Sequence, residues 1–289
     1  MRTATIVVAT DGTASSRAAI RWAAREAARR NATLRVTHVI DWQHGEARYD
    51  LDGGGFAAAR QIAEGVARTG AALAREVVPD LPTEIDVLVG NPAARLLSQA
   101  TDADLLVLGS RGRGGFASLV LGSVSQRVAM HATGPVVVVR GRGDVTDGPV
   151  AVGFDDSEQS QHALQTAFEL AAARGTSLAV IRTYLPMLPL YLAGVTAVGV
   201  ATPEEDAAER LRLEEQLAPW REKFPEVQVE ALLSHDSAAA VLSGVSHGAQ
   251  LVVVGSRGHG TFTGTLLGST GLQLLHHADS PVYLDRQAA

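Results

Sequence analysis

The strongest constraint on this chain is that it repeats itself. The stretch "VLGSRGRGGFASLVLGS" (107–123) returns as "VVGSRGHGTFTGTLLGS" (253–269). Near the start, "VVATDGTASS" (7–16) is matched by "AVGFDDSEQS" (151–160), which sets Asp11 against Asp155, an offset of 155 − 11 = 144. The glycine loops give 258 − 112 = 146. A near-constant offset marks an internal duplication, and the period lies far above the roughly 20–50 residues of solenoid repeats, so each copy is expected to be a domain. The glycine- and charge-rich "RGRGDVTDG" (140–148) reads as the linker, giving expected domains of 1–142 and 147–289. Its Arg142-Gly143-Asp144 resembles an adhesion tripeptide and carries no weight in a chain without export signals.

Within the first copy "TIVVAT", "TLRVTHVI", "TEIDVLVG", "DLLVLGS" and "PVVVVR" read as strands. Several are almost unbroken apolar runs, as expected where both faces of a sheet are covered. Helical segments lie between them. Ile20, Ala23, Ala24 and Ala27 fall at i, i+3, i+4 and i+7, with Ser15 or Ser16 as the expected N-cap. Ala163, Ala167, Leu170 and Ala171 repeat the stripe in the second copy. Alternating strands and helices imply βαβ units and a mostly parallel sheet, an α/β fold.

Composition removes several functions. There is no cysteine, which excludes disulfides, thiolate metal sites and cysteine nucleophiles. A net charge of −6 argues against duplex nucleic acid as partner. The N-terminus runs straight into a strand without a signal-peptide pattern. The uncharged stretch 184–201 is broken by Pro186 and Pro189 and is too short to span a bilayer, which takes about 20 apolar residues. A cytoplasmic protein with no membrane contact is expected.

In open parallel sheets ligands bind at the carboxyl ends of the strands. Two loops leave such ends in each copy. In the second of them, Gly109, Gly112, Gly114 and Gly115 let backbone N–H groups approach an anion, and Gly122-Ser123 stands where a helix begins, with its dipole favouring phosphate. Arg111 and Arg113 add charge. The plainer alternative is that Ser123 is only an N-cap and the glycines only a surface turn; repetition of both parts at one spacing favours the cradle. A Walker A loop is excluded because no lysine follows the last glycine. The dinucleotide G-x-G-x-x-G fails too, since Gly112 and Gly114 lead to Ala117, and Gly258 and Gly260 to Thr263.

Gly109, two residues, Gly112, nine residues and Gly122-Ser123 resemble the G-x2-G-x9-G-(S/T) signature of the universal stress proteins, and Gly255, Gly258, Gly268 and Ser269 repeat it. "VATDGTASS", "GNPAARLL", "TGPVVVVR" and "DSPVYL" extend the resemblance over nearly the whole chain. The resemblance implies two tandem doubly wound, Rossmann-like domains, each a five-stranded parallel sheet of order 3-2-1-4-5. It implies ATP bound with its adenosine on the first-strand turn and its phosphates on the glycine loop, with Mg2+ accompanying the nucleotide. The residues so implied in the first copy are Ala9, Thr10, Asp11, Gly12, Thr13, Val39, Gly109, Arg111, Gly112, Gly122, Ser123, Val124 and Ser125. Those of the second copy are Gly153, Asp155, Ser157, Gly255, Arg257, Gly258, Gly268, Ser269 and Thr270. Pairing of the closing strands, Val136–Val139 with Val282–Leu284, would join the copies as an internal pseudo-dimer, and a homodimer of such chains is expected.

The copies differ. Asp156 replaces Gly12 and tolerates a left-handed backbone, but adds negative charge beside a polyanion. Gly271 stands where Ser125 supplies a hydroxyl, and His235-Asp236-Ser237 stand in place of Gly90-Asn91-Pro92. Tighter binding by the first copy is therefore expected. His131, His276 and His277 are read as cations at helix C-termini rather than metal ligands, Asp236 as an N-cap beside His235 in preference to an acid/base pair with it, and Trp22 and Trp220 as helix packing. His259, in place of Arg113, would make phosphate contact depend on pH. The apolar stretch 184–201 is read as an assembly surface in preference to a lid. The expected role is a nucleotide-dependent regulatory protein of the stress response, not an enzyme, with at most weak ATPase activity and no catalytic residues. The alternatives are a slow hydrolase or nucleotidyl-transferring enzyme of the same fold, an interaction protein with degenerate pockets, and AMP or a cyclic nucleotide as ligand.

Overall fold

The computed structural model describes residues 3–42, 54–112, 121–184, 202–256 and 267–286. In the first half, β1 (Thr5–Ala9), α1 (Ala14–Arg29), β2 (Thr33–Ile40), α2 (Gly54–Val77), β3 (Thr83–Val89), α3 (Pro92–Asp102), β4 (Leu105–Gly109), α4 (Ser123–His131) and β5 (Val136–Val139) follow one another. The second half repeats the series with β6 (Val150–Gly153), α5 (Glu158–Arg174), β7 (Leu178–Thr183), α6 (Pro203–Lys223), β8 (Val229–Ser234), α7 (Ala238–Val245), β9 (Leu251–Gly255), α8 (Ser269–His277) and β10 (Val282–Asp285).

The ten strands of the described residues form one sheet of order β3-β2-β1-β4-β5-β10-β9-β6-β7-β8. Each half is thus the expected 3-2-1-4-5 arrangement, parallel throughout. The halves meet where β5 and β10 pair antiparallel, with Val137 opposite Tyr283. That is the pseudo-dimer seam expected from the closing strands.

Side chains alternate across the sheet with a period of two, so each strand feeds two cores. Ile6, Val8, Val137 and Val139 face the layer of α1, α2, α5 and α6. Val7, Val136 and Val138 face the layer of α3, α4, α7 and α8. Each core runs unbroken across the seam. The small stripes of α1 and α5 are buried as expected, which lets these helices lie close on the strands.

Crossing the seam between α1 and α5 is a buried ion pair. Arg174 donates to Glu26 at 2.6 Å, and the two side chains are 3% and 1% exposed. Arg30 reaches the other carboxylate oxygen at 2.6 Å.

Among the described residues no helix is long and apolar enough to cross a membrane. Of the stretch 184–201, read above as an assembly surface, all but Tyr184 lies outside the described residues.

Candidate functional site

The turn after β1 is built by a short hydrogen-bond relay. The Asp11 carboxylate accepts from the Thr13 amide at 3.0 Å and from the Thr13 hydroxyl at 2.7 Å. Thr13 is the N-cap of α1, its oxygen accepting from the Ser16 amide. The expected cap at Ser15 or Ser16 is thus corrected: the cap falls earlier, because a hydroxyl two residues after an Asp satisfies both the turn and the helix. Ser16 is nearly buried and donates back to the Thr13 carbonyl at 3.1 Å. The second half repeats the relay residue for residue. Asp155 accepts from the Ser157 amide and hydroxyl, Ser157 caps α5, and Ser160 returns to the Ser157 carbonyl. Sequence reasoning names Ser16 only as a cap candidate and does not single out Ser160; the pattern Asp-x-(Ser/Thr)-x-x-Ser at an offset of 160 − 16 = 144 is the signal that marks both as members of the relay.

The described start of the glycine loop, Gly109 to Gly112, lies against this turn. A Cβ on Gly109 would sit 2.7 Å from the Ser15 carbonyl carbon, and one on Gly255 would sit 2.9 Å from the Gln159 carbonyl oxygen. These first glycines are needed so that the strand end can touch the first turn of α1 or α5. A Cβ on Gly112 would instead sit 2.8 Å from Asp11 Oδ2. Sequence-distant Asp11 and Gly112 are therefore neighbours. The Arg111 amide donates to Ser15 Oγ at 3.1 Å, and the Gly122 amide closes the loop on the Ser110 carbonyl at 2.7 Å. Gly268 makes the matching bond to Ser256 at 2.8 Å.

The helices that follow differ from α1 and α5 in one respect. Both α4 and α8 begin on a glycine, Gly122 and Gly268, with no side-chain cap bond. Ser123 and Ser269 are the first helical residues and are exposed, not caps. The opening N–H groups of these helices have no intrahelical acceptor. Ser125 faces away from this opening: its hydroxyl is buried and donates to the Gly109 carbonyl at 2.6 Å, tying α4 to β4. It shapes the site without pointing into it.

A cavity of about 360 Å3 opens beside the same loop. It is lined by Thr13, Ser15, Arg111 and Gly112 together with Arg140 and Gly141 after β5. Asp11, Val39, Gly122 and Ser123 do not line it. The cavity therefore adjoins the expected phosphate cradle but is not the whole of it, and the convergence of Asp11, Gly112 and the α4 N-terminus is the better guide to the chemistry. Val39 lies half-buried near the end of β2, with Ala9 at the end of β1, and Val124 packs on the core beneath α4. Thr10 is nearly buried, accepting at its hydroxyl from the Gly12 amide and at its carbonyl from the His38 ring.

The second half changes the grounds on which the copies were expected to differ. Asp156 does occupy the left-handed region, with φ of 67° where Gly12 has 81°. Its charge, however, is matched: Arg182 binds both carboxylate oxygens at 2.6 Å and Arg212 adds 2.8 Å. The bonds from Arg182 hold the Asp156 carboxyl below its usual range. At Gly271 a Cβ would meet Leu267 at 2.7 Å, so the missing hydroxyl reflects packing. Asp236 is not the N-cap of α7; Ser237 is, matching Asn91 of α3 with a shift of one residue. His235 instead contacts Asp206 at 2.9 Å, and the Tyr184 hydroxyl donates to the same carboxylate oxygen. His131, His276 and His277 lie in last helical turns as expected, and no metal-binding group of His, Asp and Glu occurs among the described residues. Gly153 and Thr270 are half-buried at the end of β6 and in the first turn of α8. Arg257, Gly258 and His259 lie outside the described residues, as do Arg113, Gly114 and Gly115.

Fold and site together define a class: a tandem doubly wound α/β protein whose halves each bring an Asx turn and a glycine loop to the carboxyl edge of the sheet. The universal stress protein family model matches residues 3–140 and again 148–286. A universal stress protein of Mycolicibacterium smegmatis is 33% identical over 97% of this chain and 96% of its own. One of Mycobacterium tuberculosis is 34% identical over 98% and 97%. The crystal structure of a universal stress protein from Archaeoglobus fulgidus shares the fold, with a TM-score of 0.73 and 20% identity over 99% of both chains. The chain belongs to the universal stress protein family and is a tandem member of it.

Proposed function

We propose that each half is built to bind an adenine nucleotide, with ATP as the first candidate, and that the protein acts as a nucleotide-dependent regulator in the stress response rather than as an enzyme. One observation carries this reading. Four helices start at the two sites; those after the first strands are self-capped, whereas those after the glycine loops open on Gly122 and Gly268 with no side chain at the cap. An uncapped helix start beside a glycine loop is a ready anion site, since N–H groups and dipole both favour negative charge. In this reading Asp11 and Asp155, each held by its Asx turn, supply the acceptor oxygens for a ribose hydroxyl. In this reading Gly109, Arg111, Gly112, Gly122 and Ser123 take the phosphates, Asp11 and Val39 the nucleoside, and Mg2+ accompanies the phosphates. Gly255, Arg257, Gly258, Gly268 and Ser269 take the corresponding places in the second half.

Signalling would come from differential affinity of the nucleotide for two arrangements of the protein or of its partners. The first half is not favoured by charge, because Asp156 is neutralised by Arg182 and Arg212. Mass spectrometry of the small molecule released on denaturing the purified protein, with calorimetric titration of ATP, AMP and cyclic AMP, tests the reading. Saturable binding weakened in Asp11→Ala and Asp155→Ala is expected; no binding of any adenine nucleotide overturns it. Turnover that releases phosphate at about 1 s⁻¹ or faster would favour the hydrolase alternative instead.

A further inference from the structure

The helices that begin at the two cradles end against the opposite half of the molecule. Arg140, the residue after β5, donates from Nη1 to the Leu274 carbonyl of α8 at 2.8 Å. Arg286, the residue after β10, donates from Nη2 to the Ala129 carbonyl of α4. The arginines are 286 − 140 = 146 apart, the offset of the glycine loops themselves. Each half thus reaches across the β5–β10 seam and holds the far end of the helix on which its neighbour's cradle is built.

The Arg286 contact is the more confined of the two. Its side chain is 7% exposed. Ala129 lies in the last turn of α4, whose final carbonyls have no N–H partner within the helix. A guanidinium bonded there is favoured by both the open carbonyl and the negative end of the dipole, and low solvent exposure strengthens both. The backbone carrying Arg286 is itself fixed. The buried Asp285 just before it accepts from Thr166 Oγ1 at 3.0 Å and contacts the His162 ring, both on α5. The matching first-half position is Val139, which offers no such anchor.

We infer that Arg286 is a positioning residue for the phosphate cradle of the first half, supplied by the second half across the seam. The inference rests on the nucleotide reading given above. The nine-residue α4 is anchored at its C-terminus, so its N-terminal amides, which no side chain caps, stay beside Arg111 and Gly112 before any ligand arrives, and preorganisation of this kind raises affinity. Arg286 touches no nucleotide atom in this scheme. Its effect is confined to the part of the ligand that the α4 N-terminus holds, the phosphates.

The test uses the full chain in an Asp155→Ala background, which leaves the first-half site to be read, with calorimetric titration by ATP and by adenosine. Arg286→Met is expected to weaken ATP about three- to tenfold, the scale of a partly buried helix-terminus charge, while adenosine affinity stays unchanged. Arg286→Lys, which keeps the charge and a donor, is expected to recover most of the loss. A residue serving stability alone would lower both affinities together or neither, so an unchanged ATP-to-adenosine ratio in Arg286→Met overturns the inference. Arg286→Gln carries the same criterion if the methionine variant does not fold. Failure of the parent protein to bind any adenine nucleotide overturns the nucleotide reading and this inference with it; ATP binding that is indifferent to position 286 overturns the inference alone.

Discussion

A methyl group added to Gly109 would lie 2.7–2.8 Å from three atoms of Ser15, two of them backbone, whereas one added to Gly112 would meet only the Asp11 carboxylate oxygen within 3.0 Å. The consequences separate. Gly109→Ala forces the strand end away from α1 and is expected to cost about 1–3 kcal/mol of stability by urea denaturation. Gly112→Ala requires only that one side chain give way, so stability is expected to change by less than about 1 kcal/mol. Its cost appears in nucleotide affinity, because the displaced group is the proposed ribose acceptor. Equal stability losses in the two variants would contradict this division. The spacing of these glycines was legible in the sequence, but their separate tasks were not, because a motif does not show what faces each Cα. Ser125 taught the same lesson: its hydroxyl reads as a ligand group in the motif, and its bond to the Gly109 carbonyl makes it a brace.

Among the elements, the four site helices divide by how they begin. Thr13 and Ser157 close α1 and α5 with side-chain oxygens and at the same time anchor Asp11 and Asp155. Thr13→Ala removes both duties, and a loss of about 1 kcal/mol in unfolding free energy is expected, the usual worth of an N-cap. At α4 the reverse experiment is available. Gly122 has φ of −75° and ψ of 147°, and a Cβ there finds nothing nearer than 3.4 Å, so any small residue fits. Gly122→Ser is expected to cap the helix and raise stability by a few tenths of a kcal/mol. The same hydroxyl occupies an amide that the proposed phosphate needs, so ATP affinity is expected to fall. Thermal unfolding and titration on one preparation check both signs, and a variant both stabler and tighter-binding would refute the assignment. Element order and strand-end placement were readable from apolar runs and small-residue stripes, since burial on two sheet faces dictates them. Which hydroxyl serves as cap was not, because Thr13, Ser15 and Ser16 share the same chemistry and only the Asx turn at Asp11 selects among them.

Over the whole molecule, the seam is more than a pair of apolar strands. Burial alone would raise the Glu26 carboxyl, but Arg174 and Arg30 more than offset it and hold it below the usual carboxylate range. Arg174 remains charged throughout the accessible pH range, as guanidinium groups do. The position equivalent to Glu26 in the second half is Leu170, and those equivalent to each other in the two halves are Arg30 and Arg174. One carboxylate therefore serves two symmetry-related arginines, and it comes from the first half only. The closing-strand pairing was legible through the family resemblance; this cluster was not, since a Glu on an amphipathic helix reads as solvated until the other domain is placed against it. The pH dependence follows from the sign of the shift. A carboxyl whose folded value lies below its unfolded one stabilises the fold above the unfolded value, near 4.3, and loses that contribution as pH falls through the folded value. Glu26→Gln leaves Arg174 buried with its charge unmatched and is expected to cost about 3–5 kcal/mol. It is also expected to flatten the loss of stability on acidification. Glu26→Leu combined with Arg174→Met removes the two buried charges, leaves Arg30, whose side chain is 28% exposed, to water, places at position 26 the residue type already found at 170, and is expected to recover most of that loss, because an apolar pair of similar volume avoids the desolvation of two ions. Denaturation curves for the single and double variants at pH 7 and pH 4 decide the matter: a double variant as unstable as Glu26→Gln would show that the seam depends on the ion pair itself rather than on avoiding an unmatched arginine.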